Sequence, residues 1–149
     1  MSRMHVAVAV LALLVTSTAH ADTSSAPQRI ELPAAASRNY AQNYKDSALA
    51  FCIAKAYSSE SGAHADAAAT ADGLDQWSRY DIENSSGEIP KLVERFLKHE
   101  YHSIQGPGVK LDLLKCVDMY HSKELAALVK RYVPKPTRSY RQDNSPGVP

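Results

Sequence analysis

The sequence has almost no charge bias, since 17 basic and 16 acidic residues leave a net charge of +1. Nucleic acid and anionic membrane surfaces both favour a clear basic excess, so neither is expected as a partner. Long apolar runs are also lacking. The one uncharged apolar stretch, Val6 to Val15, is too short for the roughly 20 residues that span a bilayer. There is no Gly-x-Ser-x-Gly elbow, no glycine-rich phosphate loop and no zinc-protease pair of histidines around a glutamate. Period-two alternation and internal repeats are absent, which argues against strands and solenoids. Only two cysteines, Cys52 and Cys116, and one tryptophan, Trp77, occur.

What is present begins with a secretory signal. Arg3 supplies the positive start, Val6 to Val15 the apolar run, and Ala19-His20-Ala21 a small-x-small cleavage site, so residues 1–21 read as a signal peptide cut after Ala21. The expected mature chain is exported to the periplasm. It retains 128 of the 149 residues, enough for a single domain with a sizeable core. Two cysteines in an exported chain favour a disulfide, which would restrict the unfolded ensemble by about 4 kcal/mol. The alternative is a reactive thiol in a small periplasmic enzyme, although neither cysteine has the activated setting of a catalytic nucleophile in its local sequence.

The chain from 39 to 133 reads as about five helices. Residues 22–38 are rich in Ser, Ala and Pro and are expected to be a flexible leader. A first helix runs from a cap at Ser37 or Asn39 to about Tyr57, with Tyr40, Tyr44, Ala48, Phe51, Cys52 and Lys55 on a broad face. A second is expected over His64 to Glu83, striped by Ala67, Ala71, Leu74 and Trp77. The third carries Ile89, Leu92, Val93, Phe96 and Leu97, with Pro90 in its first turn. Gln105-Gly-Pro-Gly108 breaks the pattern, leaving a projecting loop from Tyr101 to Gly108. A fourth helix holds Cys116, with Leu113, Leu114, Val117 and Tyr120 recurring along one face. A fifth starts at a Ser122 cap and is stopped by Pro134 and Pro136, and residues 134–149 are expected as an extended tail. The expected class is all-α, a compact single-domain bundle with a disulfide between the first and fourth helices.

Candidate chemistry is sparse. His99 and His102 are three residues apart and could face one metal, but they straddle an expected helix end, and no metal or other cofactor is expected. Seven acids lie between Glu60 and Glu88 against the single base Arg79, while Lys123 to Arg141 is basic. Such blocks read first as solvated helix faces, and second as a surface that could steer a cationic partner. Binding is a more economical function than catalysis. A periplasmic binding module of unspecified purpose is one form it could take.

The segments Tyr40-Ala-Gln-Asn-Tyr-Lys-Asp46, Cys52-Ile-Ala-Lys-Ala-Tyr57, Gln76-Trp-Ser-Arg-Tyr-Asp-Ile-Glu-Asn84, Gly108 through Cys116 to Ser122, and Tyr140-Arg-Gln-Asp-Asn144 give a more specific signal. Together they resemble the immunity proteins of the type VI secretion amidase effectors, group-four family, in order from Asn39 to Asn144. The resemblance implies a periplasmic α-helical inhibitor, itself no enzyme, whose partner is a papain-like Cys-His peptidoglycan amidase. It also implies a homodimer that captures two effectors. Filling an enzyme cleft needs a protrusion, which points to His102, Ser103, Ile104, Gln105 and Gly106 of the loop. An interface of about 800 Å² per partner needs a second element, expected in a polar helix from Gln76 to Asn84 that carries Gln76, Tyr80, Asp81 and Glu83.

Overall fold

The fold is built around one long helix that is buried on two sides. The computed structural model describes residues 33–145; the segment read as a signal peptide and the first part of the leader lie outside the described residues. Helix α1 (Tyr40–Ala56) begins where expected, with the Asn39 side chain accepting the Gln42 N–H at 2.8 Å. Tyr40, Tyr44, Ala48 and Cys52 recur every fourth residue and are buried, which makes one inward stripe. Asn43, Ser47, Ala50 and Ala54 make a second. Small residues on that second stripe let α2 (Ser61–Gln76) pack along α1 through its own Ala67, Ala71 and Leu74.

Polar groups lace this close contact and leave few orphans. The Ser47 hydroxyl donates to Asp75 at 2.8 Å, and the Asn43 amide donates to the carbonyls of Ala35 and Trp77 at 2.8 and 2.9 Å. These bonds explain why the second helix stops at Gln76 rather than reaching Glu83. The Trp77 carbonyl is taken by Asn43, and the Asp81 N–H is taken by the Tyr132 carbonyl at 2.9 Å, so the chain from 77 to 81 is pulled out of the helical ladder. A single turn, α3 (Ile82–Ser85), follows under an Asp81 cap.

Gly87 then takes a left-handed conformation (φ 81°) that few side chains tolerate, and α4 (Glu88–Leu97) starts from it with Pro90 in the first turn. Leu92, Val93 and Phe96 face the core with α1, joined by Met119 of α5 (Asp112–Tyr120) and Leu125 of α6 (Lys123–Tyr132). Burying side chains of this size stabilises the fold by about 2 kcal/mol each. Ser122 caps α6 as expected, its hydroxyl accepting the Leu125 N–H at 3.1 Å. Cys52 of α1 and Cys116 of α5 are disulfide-bonded with Cα atoms 5.6 Å apart. The tie is thus between the first helix and the fourth of the long ones, which the one-turn α3 makes fifth in order.

The structure orients the stripe of α5 and corrects the expected tail and leader. On α5 the stripe Leu113, Leu114 and Val117 is 47, 44 and 37% exposed, and the buried residues are Lys115, Cys116 and Met119. The disulfide turns that face inward, so the heavier apolar stripe faces out. The chain beyond Pro134 is not simply extended. It carries α7 (Tyr140–Asn144), held by a capping box between Ser139 and Gln142. Residues just before it cover the start of α1: the carbonyls of Arg138 and Pro136 accept the N–H groups of Tyr40 and Ala41 at 2.7 and 3.1 Å. Upstream, Ala34–Ser37 of the expected leader forms a short 3-10 turn in which Ala35 and Ala36 are buried.

Candidate functional site

The loop between α4 and α5 is braced at both ends. Lys98 closes α4, and His99 lies against Phe96 and stacks on Tyr101, with ring centroids 5.2 and 5.9 Å away. The Tyr101 hydroxyl donates to Asp118 of α5 at 2.6 Å, a bond to a carboxylate that, more than burial, raises the phenol above its ordinary range. Within the loop the Gly106 N–H donates to the Ser103 hydroxyl at 2.9 Å, and the Val109 N–H to the Gly106 carbonyl at 3.1 Å. A Cβ at Gly106 would stand 3.1 Å from the Val109 side chain, so glycine keeps this turn tight. Gly108 is left-handed (φ 86°), and so is Leu111 (φ 52°), an unusual state for a leucine, directly before α5.

Behind the loop, Lys115 is buried. Its ammonium donates to the Leu97 carbonyl at the end of α4 (3.3 Å) and to Asp112 (2.7 Å). A cation on the last carbonyls of a helix is favourable, and here it also joins α5 to α4 across the base of the loop. The disulfide lies one residue further on. The tip therefore projects from a fixed base: Ile104 is 98% exposed, His102 and Gln105 are exposed, and Ser103 and Gly106 are half-buried by their own turn.

Two concave surfaces flank the loop. Beneath it is a cavity of about 680 Å³ whose walls include Lys55 and Ala56 of α1, Leu97, Lys98, Lys110 and Lys115. On its other side the outward stripe of α5 continues through Val109 to Tyr57, forming a shallow apolar groove. Sequence reasoning does not single out the lysines. Lys98 and Lys110 can be seen to flank the loop, but Lys55 reaches it only because the disulfide brings the C-terminal end of α1 alongside α5.

The second group of expected contact residues lies elsewhere. Gln76 is the last residue of α2, Asp81 is the cap of α3, and Glu83 is exposed on that turn, so Gln76 to Asn84 is not one polar helix. Tyr80 packs edge-on against Tyr44 with centroids 5.1 Å apart and donates to Asp75 at 3.2 Å. Burial, then the Asp75 charge, pushes its phenol up to about 12, so it stays neutral. Tyr44 and Lys55 are about 16 Å apart along α1, so the structure gathers His102 to Gly106 into one patch and leaves Gln76, Tyr80, Asp81 and Glu83 in another. Trp77 is half-buried, its ring edge-on to Tyr140 at 5.0 Å. Among the described residues no group of three metal-ligating side chains converges, and no helix is long and apolar enough to cross a membrane.

A disulfide-tied helical bundle with one protruding loop braced at its base is the class of protein that the coordinates define. Comparison with known proteins makes this specific: residues 42–129 match the family described as type VI secretion system (T6SS) amidase immunity protein, Tai4. That is more than half of the chain, which belongs to this family and is an immunity protein against a type VI amidase effector. A solved structure from work on new type VI-secreted toxins and self-resistance proteins in Serratia marcescens is 28% identical, with a TM-score of 0.70 over 78% of this chain and 95% of that one. The effector–immunity system Tae4/Tai4 from Salmonella typhimurium (selenomethionine variant) is 24% identical with a TM-score of 0.61, covering 68% of this chain and 96% of the other. At that identity the likeness speaks to the fold alone. No curated protein matches the chain significantly.

Proposed function

We propose that the chain works in the periplasm as a stoichiometric inhibitor with no chemistry of its own, inserting the loop from Tyr101 to Gly108 into the active-site cleft of the amidase. His102, Ser103, Ile104, Gln105 and Gly106 are the inserted residues. The observation that carries this reading is the braced loop itself, with Ile104 98% exposed on a tip whose base is held by Lys115, Tyr101 and the disulfide. A rigid protrusion loses little conformational entropy on entering a cleft, and so keeps more of its contact energy as affinity. Gln76, Tyr80, Asp81 and Glu83 are proposed as a separate contact, and a homodimer that presents two loops would bind two amidases. Both sulfurs are engaged in the disulfide, so neither cysteine is available as the nucleophile of an enzymatic alternative.

The test is inhibition of the cognate amidase, and protection of challenged cells, by a variant with Ile104→Ser and Gln105→Ala. Loss of inhibition with an unchanged helical spectrum and melting curve is expected. Full protection by the folded variant would remove the loop from the mechanism.

A further inference from the structure

We propose that the cavity beneath the loop is a docking site for an acidic segment of the partner amidase, with Lys55, Lys98 and Lys110 receiving its carboxylates. This rests on the reading of the adjoining loop as the amidase-facing surface, and it adds a contact at the base of the loop, whose Tyr101, His102, Ser103, Pro107 and Gly108 form one wall of the cavity.

Four lysines from separate parts of the chain converge on one cavity of about 680 Å³, while the acids lining it are Glu100 and Asp112. Lysines near helix C-termini often only compensate the exposed carbonyls. Lys115 does that here, since its ammonium bonds the Leu97 carbonyl and neutralises Asp112. The other three have no such bond to a helix end among the described residues. Lys98 pairs with Glu94 at 2.7 Å, but both side chains are about 70% exposed, and such a pair is cheaply exchanged for another carboxylate. Lys55 lies over the Phe51 ring at 5.5 Å, and Lys110 has no carboxylate partner among the described residues. Three cations are therefore available, against Glu100 as the remaining acid of the cavity.

Shape then selects among anions. The recess is open to solvent, and its volume of about 680 Å³ is well above the need of one inorganic ion, so it suits an extended segment of a partner rather than an enclosed small molecule. Its walls also contain Ala56, Leu97, Pro107 and Val109, which suit aliphatic side chains beside a carboxylate. A peptide segment that mixes acidic and aliphatic residues meets both conditions. Along α2 and α3 the charge is of the opposite kind, with Glu60 capping α2, Asp66, Asp72 and Asp75 on it, and Asp81 and Glu83 at α3, so an acidic segment is disfavoured there.

The direct test titrates an acetylated, amidated Glu-Leu-Glu-Leu-Glu-Leu peptide, its Gln-Leu counterpart and inorganic phosphate into the 15N-labelled chain. Amide shifts at Lys98, His99 and Lys110 are expected with the acidic peptide alone. They should weaken about tenfold in the Lys98→Ala/Lys110→Ala variant, whose exposed positions leave folding intact. No shift at millimolar acidic peptide, equal shifts from the neutral peptide, or equal affinity for phosphate would each overturn the proposal. In a parallel arm, the same variant should associate about tenfold more slowly with a catalytically inactive amidase that the wild-type chain neutralises, and lose most of its salt dependence. Unchanged association overturns the docking site while leaving the loop reading intact. If the acidic peptide binds but loop variants still inhibit fully, the loop reading falls instead.

Discussion

The two ends of α1 are finished in opposite ways. At the N-terminal end the helix start and its aromatic side chains are answered from within the chain, the buried Asn43 Oδ1 and Tyr44 hydroxyl excepted. The Tyr40 and Ala41 N–H groups meet the carbonyls of Arg138 and Pro136, the Tyr40 hydroxyl meets Asp143, and Trp77 meets Tyr140. At the C-terminal end the helix opens onto a cavity lined by four lysines, an apolar groove and an exposed loop tip. A molecule that needed only to fold could have closed both. The open end is nevertheless the one held by a covalent bond, by buried Lys115 and by Tyr101, so exposure there goes with rigidity rather than looseness. Rigid, unsatisfied surface is what a binding protein requires, because a loose one would lose affinity to ordering.

The largest effect should come from cutting the covalent brace at the open end. Cys116→Ser, with Cys52→Ser to avoid a lone thiol, is expected to cost about 2–4 kcal/mol and to lower the melting temperature markedly. Amide exchange should rise first in residues 98–111. An unchanged melting temperature would show that the two ends do not differ in this way. Next, Lys115→Ala leaves the Leu97 carbonyl and Asp112 without their partner, at an expected cost of about 1–3 kcal/mol by denaturant unfolding. Amidase inhibition should weaken with it.

The closed end should respond to acid. Burial works to raise the Asp143 carboxyl, but bonds from Arg138 and Tyr40 outweigh it and hold the group below its ordinary value of 3.8. The folded state therefore binds the proton less well than the unfolded one. The resulting stabilisation is complete above 3.8 and is lost as pH falls through the lower folded value. Amide exchange in α7 should quicken there before the loop responds, and Asp143→Asn should abolish that pH dependence. The smallest effect is expected from Leu114→Ser and Val117→Thr on the outward stripe of α5, which should change stability by no more than about 0.5 kcal/mol. A large loss would mean that this stripe is packed, contrary to its exposure.

Features decided within a few residues were legible from the start. The Asn39 and Ser122 caps, the α1 stripe, Pro90 in a first turn and the Gly106 to Gly108 break each rest on neighbours three or four positions away, and each stands where its chemistry puts it. The pairing of Cys52 with Cys116 followed from the expected export and from there being no third cysteine. The outward turn of Leu113, Leu114 and Val117 was not legible. Periodicity reports that a helix has an apolar face, not which face its neighbours will cover, and the disulfide with Lys115 outvoted the larger side chains. Helix α7, the early end of α2 and the arrival of Lys55 beneath the loop have the same origin. Each depends on a partner far away in sequence: Tyr40 for Asp143, Asn43 and Tyr132 for the segment after Gln76, and Cys116 for the end of α1. Sequence alone thus determined the five longer helices and the break between α4 and α5. Only tertiary contacts, which satisfy backbone and charge across the chain, decided which surfaces were left open to another protein.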